Sequence, residues 1–178
     1  MIDWPKELPT LEVEQLVLRP WQEVDADFVF ESCQDPDIVE FTTIPAPYTR
    51  RDADEFIRSR SELFENKEVI PYAGVVNGKL AMSVSLHDIN QFDHTCEVGY
   101  WINKEFRGLG ITTKAVKLIT SYGFSLGFRR IQGLVLPENI GSQKVLLGAG
   151  FELEVSLVNR LTKRDGTQST GLVFSKIK

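Results

Sequence analysis

The chain has 178 residues, 42% hydrophobic, 25% charged and 10% aromatic, which excludes a disordered or fibrous protein. At roughly 150 residues per domain it reads as one domain over residues 1–178, with residues 1–10 as an N-terminal extension. Twenty Lys and Arg against 25 Asp and Glu leave a formal net charge of −5, opposite in sign to what binding a phosphate backbone requires, so nucleic acid is not an expected partner.

The start, MIDWPKELPT, has neither the basic nor the apolar region of an export signal, and no apolar run approaches the roughly 18 residues that span a bilayer. No membrane partner is expected. Two cysteines, Cys33 and Cys96, make no CxxC motif and fit a reducing, cytoplasmic setting, with a single bridge between them left open.

Residues 11–21, LEVEQLVLRPW, mix β-branched and apolar positions with polar ones and predict a first strand ending at Pro20. Asp25 opens a short helix over Ala26 to Cys33. After Thr49, the residues Ala53, Phe56, Ile57, Arg60, Leu63 and Phe64 recur at three- and four-residue steps, the stripe of a helix running to about Lys67. IPYAGVV and KLAMSVSLHDI flank Asn77-Gly78 and predict a tight hairpin. In TCEVGYWIN, residues 95–103, alternation places Val98, Tyr100 and Ile102 on one face and Glu97, Gly99 and Trp101 on the other. A helix follows from Ile111 to Leu126, then a strand RRIQGLVL, a short helix over 139–149, and two strands, Phe151 to Leu161 and Thr170 to Ile177, joined at Arg164-Asp165-Gly166. The predicted order is β-α-α-β-β-β-α-β-α-β-β.

The segment Phe106 to Thr113, FRGLGITT, lies between a strand and a helix. Glycines there permit positive φ, successive N–H groups can form a concave nest, and the helix dipole adds to it, so a phosphate or pyrophosphate fits, with Arg107 at the lip. The same residues also read as a plain helix start with an exposed arginine. Walker A, GxxxxGK[ST], does not occur, and GxGxxG fails because Thr113 stands at the third glycine position.

Arg107-Gly108-Leu109-Gly110-Ile111-Thr112 resembles the [QR]xxGx[GA] pyrophosphate loop of the GNAT superfamily of N-acetyltransferases, departing from it at Thr112. Three further pieces occur in that family's order. EVGYWI at Glu97–Ile102 looks like the fourth-strand signature of the ribosomal-protein N-terminal acetyltransferase branch; Asn139-Ile140-Gly141-Ser142 followed by Gly150-Phe151 is similar to its NxxSxxxxxxxGF element; and LVLRPW matches its first strand. The resemblance extends from about Leu11 to Ile177.

It implies an α/β fold of the mixed, α+β kind: a seven-stranded, mostly antiparallel sheet splayed between its fourth and fifth strands, here near 97–103 and 130–136, flanked by about four helices. Acetyl-CoA would enter the splay. Its pantetheine would pair with backbone near Trp101, Ile102 and Asn103, and its pyrophosphate with the N–H groups of Arg107, Gly108, Leu109, Gly110, Ile111 and Thr112. Asn139 and Ser142 would lie near the pantetheine and thiol. The implied activity is direct transfer of acetyl from acetyl-CoA to a primary amine, on a protein N-terminus or a small molecule, bound between the early helices and the last hairpin. Homodimers are common in the family.

Glu97 is the candidate base, since a carboxylate on a mostly apolar strand is desolvated toward a neutral pKa; it also reads as an ordinary polar or ion-paired residue. Relatives place a tyrosine seven residues after the Asn as proton donor to the thiolate, and Leu146 stands there. Ser142 is the nearest replacement, or else a cap of its helix and a cofactor contact. His87 and His94 flank a loop after the third strand, where they read as surface residues with a second reading as substrate contacts; Cys96 reads as inert, and Trp4, Trp21 and Trp101 as packing residues, Trp101 with a second reading as a wall of the acyl slot. No His, Cys, Asp and Glu spacing suggests a metal. Thr112 and Leu146 also motivate the alternative of an acyl-CoA-binding regulatory module with little turnover, and a longer acyl-CoA donor is a third reading.

Overall fold

In the computed structural model, which describes residues 1–178, the run read as one first strand is a hairpin of β1 (Leu11–Val13) and β2 (Leu16–Arg19), with Leu11 opposite Leu18 and Val13 opposite Leu16. Glu14 turns the chain at φ +51°, a conformation that non-glycine residues rarely adopt, so no Gly, Pro or Asn marked the turn. The sheet consequently has eight strands, in the order β1-β2-β3-β4-β5-β6-β8-β7, where the resemblance implied seven.

The helices α1 (Ala26–Ser32), α2 (Pro36–Phe41) and α3 (Arg50–Glu65) follow. α2 is additional to the four expected helices. At six residues it is too short to show a stripe, yet Asp35 accepts the Asp37 N–H and Pro36 opens the first turn, a start signal legible in hindsight. α3 begins with a capping box in which Thr49 and Asp52 satisfy each other's backbone N–H groups.

Strands β3 (Ile70–Val76) and β4 (Lys79–Asn90) form the expected hairpin, Asn77 and Gly78 both at positive φ (+49° and +79°) as a type I′ turn demands. β5 (Thr95–Ile102), α4 (Ile111–Ser125), β6 (Arg130–Val135), α5 (Ile140–Gly148), β7 (Glu152–Thr162) and β8 (Gln168–Ile177) complete the chain. One face of the sheet, including Leu86, Val98 and Ile131, is buried against α4 and α5 through Ala115, Ile119 and Leu146. On the other face, Val29, Ile38 and Ile57 of α1, α2 and α3 form a second cluster, into which Trp101 of β5 stacks on Phe28. Cys33 and Cys96 are free thiols, one in each cluster. The first ten residues are packed: the Asp3 N–H donates to Leu126 O at 2.7 Å, and Pro9 O accepts from the Tyr72 hydroxyl at 2.9 Å. No helix is long and apolar enough to cross a membrane.

Strands β5 and β6 run parallel and pair at Thr95–Arg130, Cys96–Ile131 and Glu97–Gln132 only, although β5 continues to Ile102 and β6 to Val135. Past Glu97 the two half-sheets part, which is the expected splay.

Arg19, from the LVLRPW run, grips Asp25 through two hydrogen bonds of 2.7 and 2.8 Å, and Asp25, 2% exposed, also accepts the Gln22 N–H at 2.8 Å. This pair ties β2 to the start of α1. Removing one partner leaves the other uncompensated, so Asp25→Ala is expected to destabilise the fold by about 3 kcal/mol. In thermal unfolding that corresponds to a fall in Tm of about 9 °C. An unchanged Tm would show that the pair contributes nothing net.

Candidate active site

Backbone groups on a strand point alternately to its two neighbours. The Asn103 N–H donates to Ala81 O of β4 at 2.8 Å, and the Asn103 carbonyl accepts from the Phe106 N–H at 3.0 Å. Alternation therefore directs the backbone groups of Val98, Tyr100 and Ile102 toward the splay and those of Trp101 toward β4. Of the three positions expected to pair with pantetheine, Asn103 is already engaged and Ile102 faces the gap. The Asn103 carboxamide also donates to the Ser32 hydroxyl at 3.0 Å, joining β5 to the end of α1.

Below the splay, Gly108 and Gly110 take φ +76° and +73°, and Gly110 is the N-cap of α4 without any side-chain cap. From Gly108 through Thr113 the backbone N–H groups have no acceptor within the chain; the first bond of the helix is Lys114 N–H to Gly110 O, 3.1 Å. A Cβ at Gly108 or Gly110 would meet nothing within 4 Å. The loop thus carries a row of unpaired donors at the positive end of a 15-residue helix, an arrangement that can hold an anion. Thr112, 8% exposed, is buried and does not stand on the open rim. Arg107, expected at the lip as a donor to the anion, has its guanidinium engaged by Asp37 at 2.7 Å and Asp35 at 3.0 Å, and its N–H donates to Lys104 O at 3.3 Å.

Across the splay, Asn139 caps α5, its Oδ1 accepting the Ser142 N–H at 3.0 Å. Ser142 is therefore not the cap; its Oγ lies 2.8 Å from the Tyr100 hydroxyl of β5. Burial pushes the Tyr100 phenol up to about 12, partly countered by the hydrogen bond with Ser142. Leu146, where relatives carry tyrosine, is 1% exposed and packs on the bare backbone of Gly133, where a Cβ would come within 2.9 Å of its Cδ1.

Glu97 occupies the last paired position before the strands part, on the face opposite α4, and its Oε1 accepts from Gln132 Nε2 at 3.0 Å. It lines a cavity of about 280 Å³ walled by strands alone, with Leu134, Val155, Leu157 and Val173 apolar and Arg130, Glu154 and Arg160 charged. Arg130 and Glu154 pair with each other. His87, opposite Glu97 on β4, covers Gly99, whose Cβ position is 2.6 Å from His87 Nε2. This register brings His87 beside Glu97, an adjacency that strand pairing alone reveals. Burial raises the Cys96 thiol well above its ordinary value, in keeping with an inert cysteine. Over the same face, Arg164 in the β7–β8 turn donates to the carbonyls of Val39 and Thr42 at the end of α2, so the two segments expected to meet the acceptor are clasped together.

Residues 15–152 match the model of the acetyltransferase (GNAT) domain. The chain is 26% identical to the uncharacterized N-acetyltransferase YoaA of Bacillus subtilis, over 96% of this chain and 97% of that one. Its fold superposes with TM-score 0.88 on RimL, a ribosomal L7/L12 alpha-N-protein acetyltransferase in complex with coenzyme A, at 17% identity over 95% and 98% of the two chains. The TM-score is 0.84 for the ribosomal-protein-S5-alanine acetyltransferase of Vibrio fischeri, at 23% identity over 95% and 96%. With the splayed sheet, the uncapped glycine turn before α4 and a family match over most of its length, the chain belongs to the GNAT acetyltransferase family and is an acetyl-CoA-dependent N-acetyltransferase.

Proposed function

We propose that the acceptor is the α-amine of a peptide N-terminus, entering through the cavity beside Glu97, with Glu97 as the base. The observation that carries this reading is the position of Glu97 at the apex of the splay, lining a cavity on the face opposite α4. An ammonium reaching that cavity meets a carboxylate whose only side-chain partner is the neutral amide of Gln132. Four apolar side chains around it suit a short side chain on the terminal residue. The names of the two ribosomal-protein acetyltransferases that share the fold point the same way.

The open N–H row from Gly108 to Thr113 holds the pyrophosphate of acetyl-CoA, and the thioester supplies the activated acetyl group. Glu97 takes a proton from the ammonium, directly or through one water, leaving a nitrogen lone pair to attack the carbonyl carbon. The Tyr100 N–H, which faces the gap three residues along β5 from Glu97, stabilises the charge that develops on the carbonyl oxygen. As the carbon–sulfur bond breaks, Ser142 donates a hydrogen bond to the departing thiolate. Asn139 positions Ser142 by holding its backbone.

The test is thiol release from acetyl-CoA against a panel of short peptides with free or blocked N-termini, lysine side-chain amines and small-molecule amines. Release with free-terminus peptides and none with their blocked forms is expected. Release with small amines alone would overturn the peptide reading.

A further inference from the structure

Past Glu97 no β5–β6 backbone pairing bridges the splay, yet a side-chain hydrogen bond crosses it: Tyr100 Oη of β5 to Ser142 Oγ in the first turn of α5, 2.8 Å. The Tyr100 hydroxyl is also 3.3 Å from the Ser142 carbonyl, so the hydroxyl oxygen is the nearer partner. A serine hydroxyl rotates freely and has one proton to give. If Ser142 gave that proton to Tyr100, none would remain for sulfur.

We propose that Tyr100 is a positioning residue for the transfer: its phenol donates to Ser142 Oγ and so leaves the Ser142 proton directed into the splay, toward the departing sulfur. The inference rests on the placement of Ser142 at the thiolate made above. The Ser142 N–H is fixed by Asn139 Oδ1 at 3.0 Å, so backbone and hydroxyl are held from two sides. Half-buried Tyr100, with its pKa pushed up to about 12, keeps its proton through the neutral range and remains a donor. Donors in series polarise one another, which strengthens the terminal O–H as a donor. In the step itself the nitrogen pair forms the new carbon–nitrogen bond, the carbon–sulfur pair passes to sulfur as that bond breaks, the second proton of the nitrogen passes through water to the thiolate that Ser142 hydrogen-bonds, and neither hydroxyl loses its proton. Leu146, buried against Gly133, offers no hydroxyl from the next turn of α5.

The experiment compares wild type, Tyr100→Phe, Ser142→Ala and the double variant by thiol release at saturating acceptor, with acetyl-CoA affinity read by calorimetry and folding by Tm. Tyr100→Phe keeps the ring and its packing. Its kcat is expected to fall about tenfold, the effect of misplacing a transition-state donor. Acetyl-CoA affinity should stay within twofold and Tm should change little. Ser142→Ala should lower kcat at least as far, and adding Tyr100→Phe to it should cost nothing more, because the two act as one unit. Full kcat in Tyr100→Phe with a depressed Ser142→Ala, or losses that multiply in the double variant, would overturn the positioning role while leaving Ser142 at the sulfur. Full kcat in Ser142→Ala would overturn both.

Discussion

Gly110→Val raises the acetyl-CoA dissociation constant at least about 100-fold, the loss expected when a close backbone approach to a pyrophosphate is blocked at a helix N-terminus. Gly110 caps α4 at φ +73°, and a Cβ there would project into space that no atom of the chain occupies. That space is where the free N–H row from Gly108 to Thr113 opens. A branched side chain would therefore cost binding through occupancy of the cradle, and stability only through the strain of a positive φ, about 1–2 kcal/mol. Gly78 separates the two effects. It too has positive φ, +79°, with nothing within 4 Å, but it lies in the β3–β4 turn. Gly78→Val should carry the same strain and bind acetyl-CoA normally. Calorimetric titration of both variants checks this, and normal affinity in a folded Gly110→Val protein would displace the cofactor from this loop.

Glu97→Gln is expected to lower kcat about 10²- to 10³-fold, the usual contribution of a general base. The substitution preserves shape, and the amide oxygen can still accept from Gln132 as Glu97 does at 3.0 Å. What it removes is the capacity to take a proton. Acetyl-CoA affinity should therefore stay within about twofold, because the affected group is absent from the phosphate cradle. Steady-state thiol release across pH reads the outcome; undiminished turnover at every pH would leave proton removal to water alone.

Much of this site was legible in residue order. The glycines of FRGLG announced a loop requiring positive φ, Asn77-Gly78 announced its hairpin, and period-two alternation put Glu97 and Trp101 on the face opposite Val98 and Tyr100. Local signals of this kind need no tertiary information. What escaped depended on pairing between distant segments or on conformations a sequence does not advertise. Glu14 turns the chain with a left-handed backbone no turn residue announces, so the sequence pattern predicts one strand where a hairpin stands. Asp35 and Asp37 take Arg107 from across some seventy residues of chain, and His87 reaches Glu97 only through the β4–β5 register. Tyr100 shares its face with core residues, and only the seat of α5 shows that its hydroxyl meets Ser142. Leu146 marks the converse case: its apolar character is plain in the sequence, and Gly133 explains how closely it packs.

The most direct test of the account is one calorimetric titration of the purified protein with acetyl-CoA, followed in the same sample by thiol release on adding a free-terminus peptide. One-site binding with release of coenzyme A thiol in proportion to acetylated peptide is the predicted result. Absence of binding would contradict the cradle at Gly108–Thr113, and binding without release against every amine offered would contradict catalysis at Glu97.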